Sequence, residues 1–190
     1  MLSEMAGIVV DWVGAFFVIM LLVRFHFQWL RVPFRNQTGE FIMATTNWMV
    51  MPARRVVPTV FGLDLASWIC AWMLQALVLT LLLTLTGRDL SSAPGIAAAM
   101  LFAIGLVDLV QYSIKILLFI LILQAVLSWV NPHHPMQFAF DTFTKPFLRP
   151  IRRFLPPIAN VDLSPMVLML ALFLMLVPIG ALHRLVGGMF

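Results

Sequence analysis

Four stretches of this chain are each long and apolar enough to cross a lipid bilayer, and that constrains the fold more than any other feature. A hydrocarbon core about 30 Å thick needs about 20 mostly apolar residues in a helix. Residues 5–29 are interrupted only by Asp11 and Arg24, 65–86 carry no acidic or basic residue, 104–130 carry Asp108 and Lys115, and 163–182 carry none. The runs lack strict alternation and are too long for barrel strands, so they read as helices. Composition agrees: 62% of the 190 residues are apolar and 11% charged, which leaves too few polar groups to cover a soluble globule. The first run is expected to persist as a span. It has Glu4 and Asp11 in place of the basic start of a secretion signal. The single cysteine, Cys70, excludes an internal disulfide or a CxxC pair.

The basic residues are patterned. The segment from Arg24 near the end of the first run to Val60 holds Arg24, Arg31, Arg35, Arg54 and Arg55, and Lys145, Arg149, Arg152 and Arg153 lie between the last two runs. The connection around Arg88 and Asp89 is neutral and the N-terminus is acidic. The positive-inside rule therefore predicts a bacterial inner (cytoplasmic) membrane protein with both long loops cytoplasmic and both termini periplasmic. The basic excess is then explained by orientation, and no nucleic-acid partner is expected.

The two loops also share a motif. Pro52-Ala53-Arg54-Arg55-Val56-Val57-Pro58, five residues, then Asp64-Leu65 recurs 98 positions later as Pro150-Ile151-Arg152-Arg153-Phe154-Leu155-Pro156, five residues, then Asp162-Leu163. Gln28-Trp29-Leu30 recurs as Ser128-Trp129-Val130 at an offset of 100. The expected organisation is two tandem repeats, residues 1–94 and 95–190, each a span, a loop and a span. Two crossings per repeat leave both copies in the same orientation, with any pseudo-twofold axis along the membrane normal.

This duplicated motif, the Ser128-Trp129-Val130-Asn131-Pro132 sequence and the stretch from Pro150 to Met166 together resemble the YggT family of small bacterial membrane proteins with plastid relatives. The resemblance covers nearly the whole chain. It implies an inner-membrane protein linked to osmotic or potassium homeostasis in some bacteria, and to cytochrome b6 assembly and nucleoid or division organisation in plastid and other relatives. The copies differ in places: Gln124 stands where the first has Arg24, and Ala66-Ser67 where the second has Ser164-Pro165.

The prolines Pro52, Pro58, Pro150 and Pro156 predict short turns that hold the arginine pairs near the interface. Asp64 and Asp162 stand just ahead of apolar runs, where a carboxylate can cap free amides and meet the positive helix end. Arg54, Arg55, Arg152 and Arg153 are expected either to anchor on anionic headgroups or to form, from both copies, a shared binding surface for phospholipid headgroups, a partner protein or an anion. Lying at the same membrane depth as the aspartates, they can also make an arginine–aspartate contact within or across repeats that locks the loop to the bundle. In the second loop Phe140, Phe143, Phe147 and Ile151 recur at helical spacing, and the first offers Phe41, Thr45, Trp48 and Met49. Each loop therefore reads as an interfacial or re-entrant helix. Within the third span Asp108 and Lys115 lie two turns apart, with Gln111 and Tyr112 between them. Intramembrane ionisable groups usually face a bundle interior, so Asp108, Gln111 and Lys115 are candidates for a polar pathway or partner contact. His26 and His183 stand alone near span ends, and no histidine has metal-ligand spacing.

The sequence thus predicts an all-α membrane protein of four transmembrane helices with no catalytic constellation, metal or cofactor. Its expected role is assembly or scaffolding through membrane lipids and a membrane-protein partner or a homo-oligomer. The alternative is a channel or transport component in osmotic or potassium balance.

Overall fold

The computed structural model describes residues 2–33, 37–57, 62–87, 94–131, 134–155 and 162–187. Six helices follow one another: α1 (Leu2–Trp29), α2 (Gln37–Ala53), α3 (Leu65–Leu85), α4 (Pro94–Val130), α5 (Pro135–Phe154) and α6 (Ser164–Gly187). No strand runs through the described residues, and α1, α3, α4 and α6 are long and apolar enough to span a bilayer. Helix α1 packs on α3, with α2 against both; α4 packs on α6, with α5 against both. The two triplets meet through α3 with α4 and α1 with α4.

The third helix is longer than the expected span. Helix α4 begins at Pro94 rather than near Ile104 and has 37 residues, about 55 Å at 1.5 Å per residue against a hydrocarbon core of about 30 Å. Proline suits a first helical position, and the Ala97-Ala98-Ala99 run that follows favours helix in any solvent. The added turns carry Ile96, Met100, Leu101 and Phe102 and are as apolar as the rest of the helix, so the expected start near Ile104 lies about ten residues too late.

Both loops contain helices, but their buried faces differ from the expected stripes. In α2 the buried positions are Gly39, Ile42, Thr46 and Val50, whereas Phe41 and Trp48 point outward. Small side chains let the helix approach its neighbours closely, while large aromatic groups lose nothing by facing lipid. In α5, Phe140 and Phe143 are buried as expected and Phe147 and Ile151 are half-buried; Thr144 and Leu148 complete the inner face.

The expected turn forms in the first copy, where α2 ends at Ala53 and Arg54–Val56 lie in a turn, but not in the second. Pro52 lies in the last turn of α2, and α5 continues through both Pro146 and Pro150 to Phe154. Near a helix end few turns remain to be broken, and the tertiary contacts of α5 hold its backbone helical despite the missing N–H groups. Pro58 and Pro156 lie outside the described residues.

Close backbone approaches fix the bundle. A Cβ on Gly14 of α1 would collide with the Val78 side chain of α3. Between α3 and α4, a Cβ on Gly105 would stand 3.5 Å from the Trp72 ring and 3.7 Å from the Ala76 nitrogen, and Trp72 Nε1 donates to the Phe102 carbonyl at 2.8 Å. Between the triplets lies an almost wholly apolar groove of about 650 Å³. Replacing Gly14 with leucine should lower stability by about 1–3 kcal/mol through overpacking. Gly95→Ala, which meets open space, should stay within about 0.5 kcal/mol. Unfolding of the purified protein in detergent measures both.

Candidate functional site

Helix α1 brings Arg24 to the end of the bundle where α2 lies. Its Nη1 donates to Thr46 Oγ1 at 2.8 Å and to Asn47 Oδ1 at 2.9 Å, both on α2. Its Nε lies 3.6 Å from Asp64 Oδ2, and both side chains are almost fully buried. Arg54, just past α2, presents a fork to the same carboxylate: Nε to Oδ1 at 3.3 Å and Nη2 to Oδ2 at 2.8 Å. Ser67 Oγ donates to Oδ2 at 2.5 Å. With its amide oriented to suit these neighbours, Gln28 donates to Asp64 Oδ2 at 3.0 Å and accepts from Arg54 Nη2 at 3.1 Å. A buried carboxylate thus holds α1, the end of α2 and the start of α3 together.

Burial pushes the Asp64 pKa up, but hydrogen bonds from Arg54 and Ser67 and the charges of Arg54 and Arg24 outweigh it, holding the carboxyl below its ordinary 3.8. A carboxylate with a lower pKa folded than unfolded binds fewer protons in the native state. Its contribution to stability is present above 3.8 and is lost as pH falls through the native value. The expected side-chain cap on α3 does not form: Asp64 occupies the N-cap position but makes no side-chain bond to an α3 amide. Two guanidinium groups compete for that carboxylate and prevail.

The second loop repeats the pair more openly. Arg152 Nε donates to Asp162 Oδ2 at 2.9 Å, with Nη2 2.8 Å from the same oxygen. The arginine and aspartate side chains are 46% and 35% exposed. Asp162 does cap, accepting from the Ser164 N–H at 2.9 Å. Burial raises its pKa, but the Ser164 bonds and Arg152 hold it below the ordinary range. Gln124, at the place of Arg24, accepts from Thr144 Oγ1 at 2.9 Å and donates to Asp141.

Asp108 forms a separate cluster within the spans. Gln75, halfway along α3, donates through Nε2 to Asp108 Oδ2 at 2.8 Å, and His183 Nδ1 on α6 lies 2.7 Å from Oδ1. Asp108 is buried, while Lys115 is exposed with its ammonium 5.4 Å from the Tyr112 ring centroid. No ion pair joins Lys115 to Asp108 among the described residues. Gln111 instead converges with Arg184 over Gly180, where an added Cβ would stand 3.9 Å and 3.8 Å from their nitrogens. Among the described residues no three His, Cys, Asp or Glu side chains converge as metal ligands.

The chain matches the CCB3/YggT family twice, over residues 4–86 and 103–182. It belongs to that family. This family member is 32% identical over 157 residues to an uncharacterised protein of the proC 3′ region in Vibrio alginolyticus, covering 82% of this chain and 83% of the relative. It is 28% identical over 177 residues to YggT of Escherichia coli K12, covering 91% and 88%. A Pseudomonas aeruginosa relative is 31% identical over 173 residues, covering 90% and 86%. No solved structure matches the chain.

The structure also corrects the reading of His183 as solitary and adds Arg24 and Gln75 to the candidate residues. Gln75 is the lone amide in the uncharged run Leu65–Leu85, a local signal of an interior contact; His183 carries no such signal, because it stands near the end of α6 beside Arg184, where polar residues are ordinary. Asp64→Asn should cost about 3–5 kcal/mol, since it leaves buried Arg24 without its counter-charge. Asp162→Asn, at a half-exposed pair, should cost about 1 kcal/mol or less. Denaturant unfolding of the two variants in detergent measures the difference.

Proposed function

We propose that this family member is a non-catalytic bacterial inner-membrane assembly or scaffold component that engages lipid or a membrane-protein partner through two copies of one motif. The copies are residues 1–94 and 95–190. Their support is the constant sequence offset together with the contacts that recur at it: Arg54 with Asp64 and Arg152 with Asp162. The groove between the triplets adds to this, because Ile19 and Phe119, Met20 and Ile120, Val23 and Leu123 line it at an offset of 100, and Thr38 and Met136, Ile42 and Phe140 at 98. The basic loops support a cytoplasmic position for the motifs and periplasmic termini by the positive-inside rule. The charged outer face of α5 favours an interfacial over a re-entrant helix.

One observation carries the reading. In each motif the first arginine is neutralised by its aspartate, and the next two residues remain outside. Arg55 and Arg153 are exposed, and beside them Val56 and Phe154 are 82% and 85% exposed. Orientation alone would require charge but not an adjacent exposed apolar side chain at both places. A cation beside an apolar residue suits a protein partner or the headgroup boundary. Pro52 and Pro150, also exposed, border these points.

Photo-crosslinking from position 154 in native membranes should capture a discrete membrane-protein partner. Combining Arg55→Gln with Arg153→Gln should lower that yield at least tenfold without changing unfolding in detergent. An unchanged yield would remove the scaffold reading. The Gln75–Asp108–His183 cluster favours a second reading, a transport component with a polar element inside the bundle. Potassium flux in liposomes that disappears with Asp108→Asn would establish it instead. Thiol labelling of intact cells should leave a cysteine at position 55 protected and label one at position 3.

A further inference from the structure

The two halves are filled differently at equivalent places. In the first, the Arg24 guanidinium occupies the space between α1 and α2 and bonds Thr46 and Asn47. In the second, Gln124 is shorter and uncharged, and a pocket of about 250 Å³ stands open between α4 and α5. Its floor is Gln124 and the buried Thr144; its rim is Asp141, Lys145 and Arg152, all exposed. Two further exchanges accompany the missing arginine. Asp141 stands where the first half has Met43, and Lys145 where it has Asn47. Positive charge has moved from the floor to the rim, and a carboxylate has appeared beside the vacated place.

A binding site for a single charge does not explain this arrangement. An anion alone would face Asp141, and a cation alone would face Lys145 and Arg152. A group carrying both signs a few bonds apart satisfies all three. Gln124 lies six residues before the end of α4, about 9 Å along the helix axis, so the pocket sits where a span approaches the headgroup layer. Its volume admits a headgroup and leaves acyl chains outside in the bilayer.

We propose that this pocket binds the headgroup of a phospholipid bearing a primary ammonium. The ammonium takes the place that the Arg24 guanidinium occupies in the first half, donating to Asp141 and the Gln124 amide oxygen. The phosphate lies against Lys145 and the Nη1 edge of Arg152, whose Nε and Nη2 are engaged by Asp162. A primary ammonium has three N–H donors. A trimethylammonium headgroup has none and is bulkier, and a glycerol headgroup brings no cation to Asp141. The site is distinct from exposed Arg55 and Arg153 and stands whether or not those residues hold a protein partner.

Native mass spectrometry of the full-length protein, delipidated and mixed with dioleoyl phosphatidylethanolamine, phosphatidylcholine or phosphatidylglycerol, tests the proposal. The wild type should retain the ethanolamine lipid at least tenfold more than the other two. Gln124→Arg supplies the guanidinium in cis and should abolish that preference while its unfolding temperature stays at or above that of the wild type. Asp141→Asn, at an exposed position, should abolish it independently of how the arginine variant folds. Equal retention of all three lipids by the wild type, or an ethanolamine preference that survives Asp141→Asn, would overturn the assignment. Soluble phosphoethanolamine that displaces the lipid at equal concentration would likewise overturn it, because the acyl chains would then add nothing.

Discussion

The Asp64 carboxylate, buried between two guanidinium groups, is the contact on which one end of the bundle closes. Removing an ionised carboxylate and an arginine from water costs several kcal/mol per ion unless their remaining donors and acceptors are met. Here Thr46, Asn47, Ser67 and Gln28 meet most of them. The geometry is demanding because the participants come from α1, α2, the turn after it, and α3. That demand makes the relation between a loop helix and two spans specific, which apolar packing in lipid does not achieve alone.

The second half keeps the framework and relaxes the demand. Arg152 and Asp162 pair in a partly exposed place where solvent shares the cost, and Gln124 hydrogen-bonds Thr144 and the Asp141 carboxylate. One half is therefore closed by its own charges and the other presents its polar groups outward. Two copies of a motif can in this way hold one region rigid and leave another available.

Much of this was legible in the residues and some was not. The spans followed from hydropathy, since burial in lipid acts on each segment separately, and an arginine–aspartate contact followed from the shared depth of the two groups, though not whether it would form within a copy or across copies. The expected start of α4 lies about ten residues late although Ile96, Met100, Leu101 and Phe102 continue the apolar run, because about 20 residues already suffice to cross lipid and length gives no reason to extend the span. Which residues of α2 turn inward was not legible, since Gly39 and Thr46 carry no apolar signal, while Phe41 and Trp48 face outward as the apolar side of an interfacial helix does. Asp64 had two attractive roles, capping α3 and pairing with arginine, and local spacing could not weigh Arg24 from forty residues upstream. Asp108, Gln75 and His183 come from three helices and meet only because those helices pack, so no window along the chain contains their relation.

The burial of Arg24 also has a bearing on how the chain is made. Arg24 is synthesised forty residues before Asp64, an interval of about two to eight seconds at 5–20 residues per second. Until the segment carrying Asp64 reaches the membrane, Arg24 lies in the first span without its counter-charge, five residues from the end at Trp29, where a long side chain can extend toward the headgroups. Emergence of Asp64 gives that charge a reason to turn inward and draws α2 down with it through Thr46 and Asn47. The first hairpin of spans thus has a built-in order of assembly, whereas the second, with Gln124 in the corresponding place, has no charge to wait for.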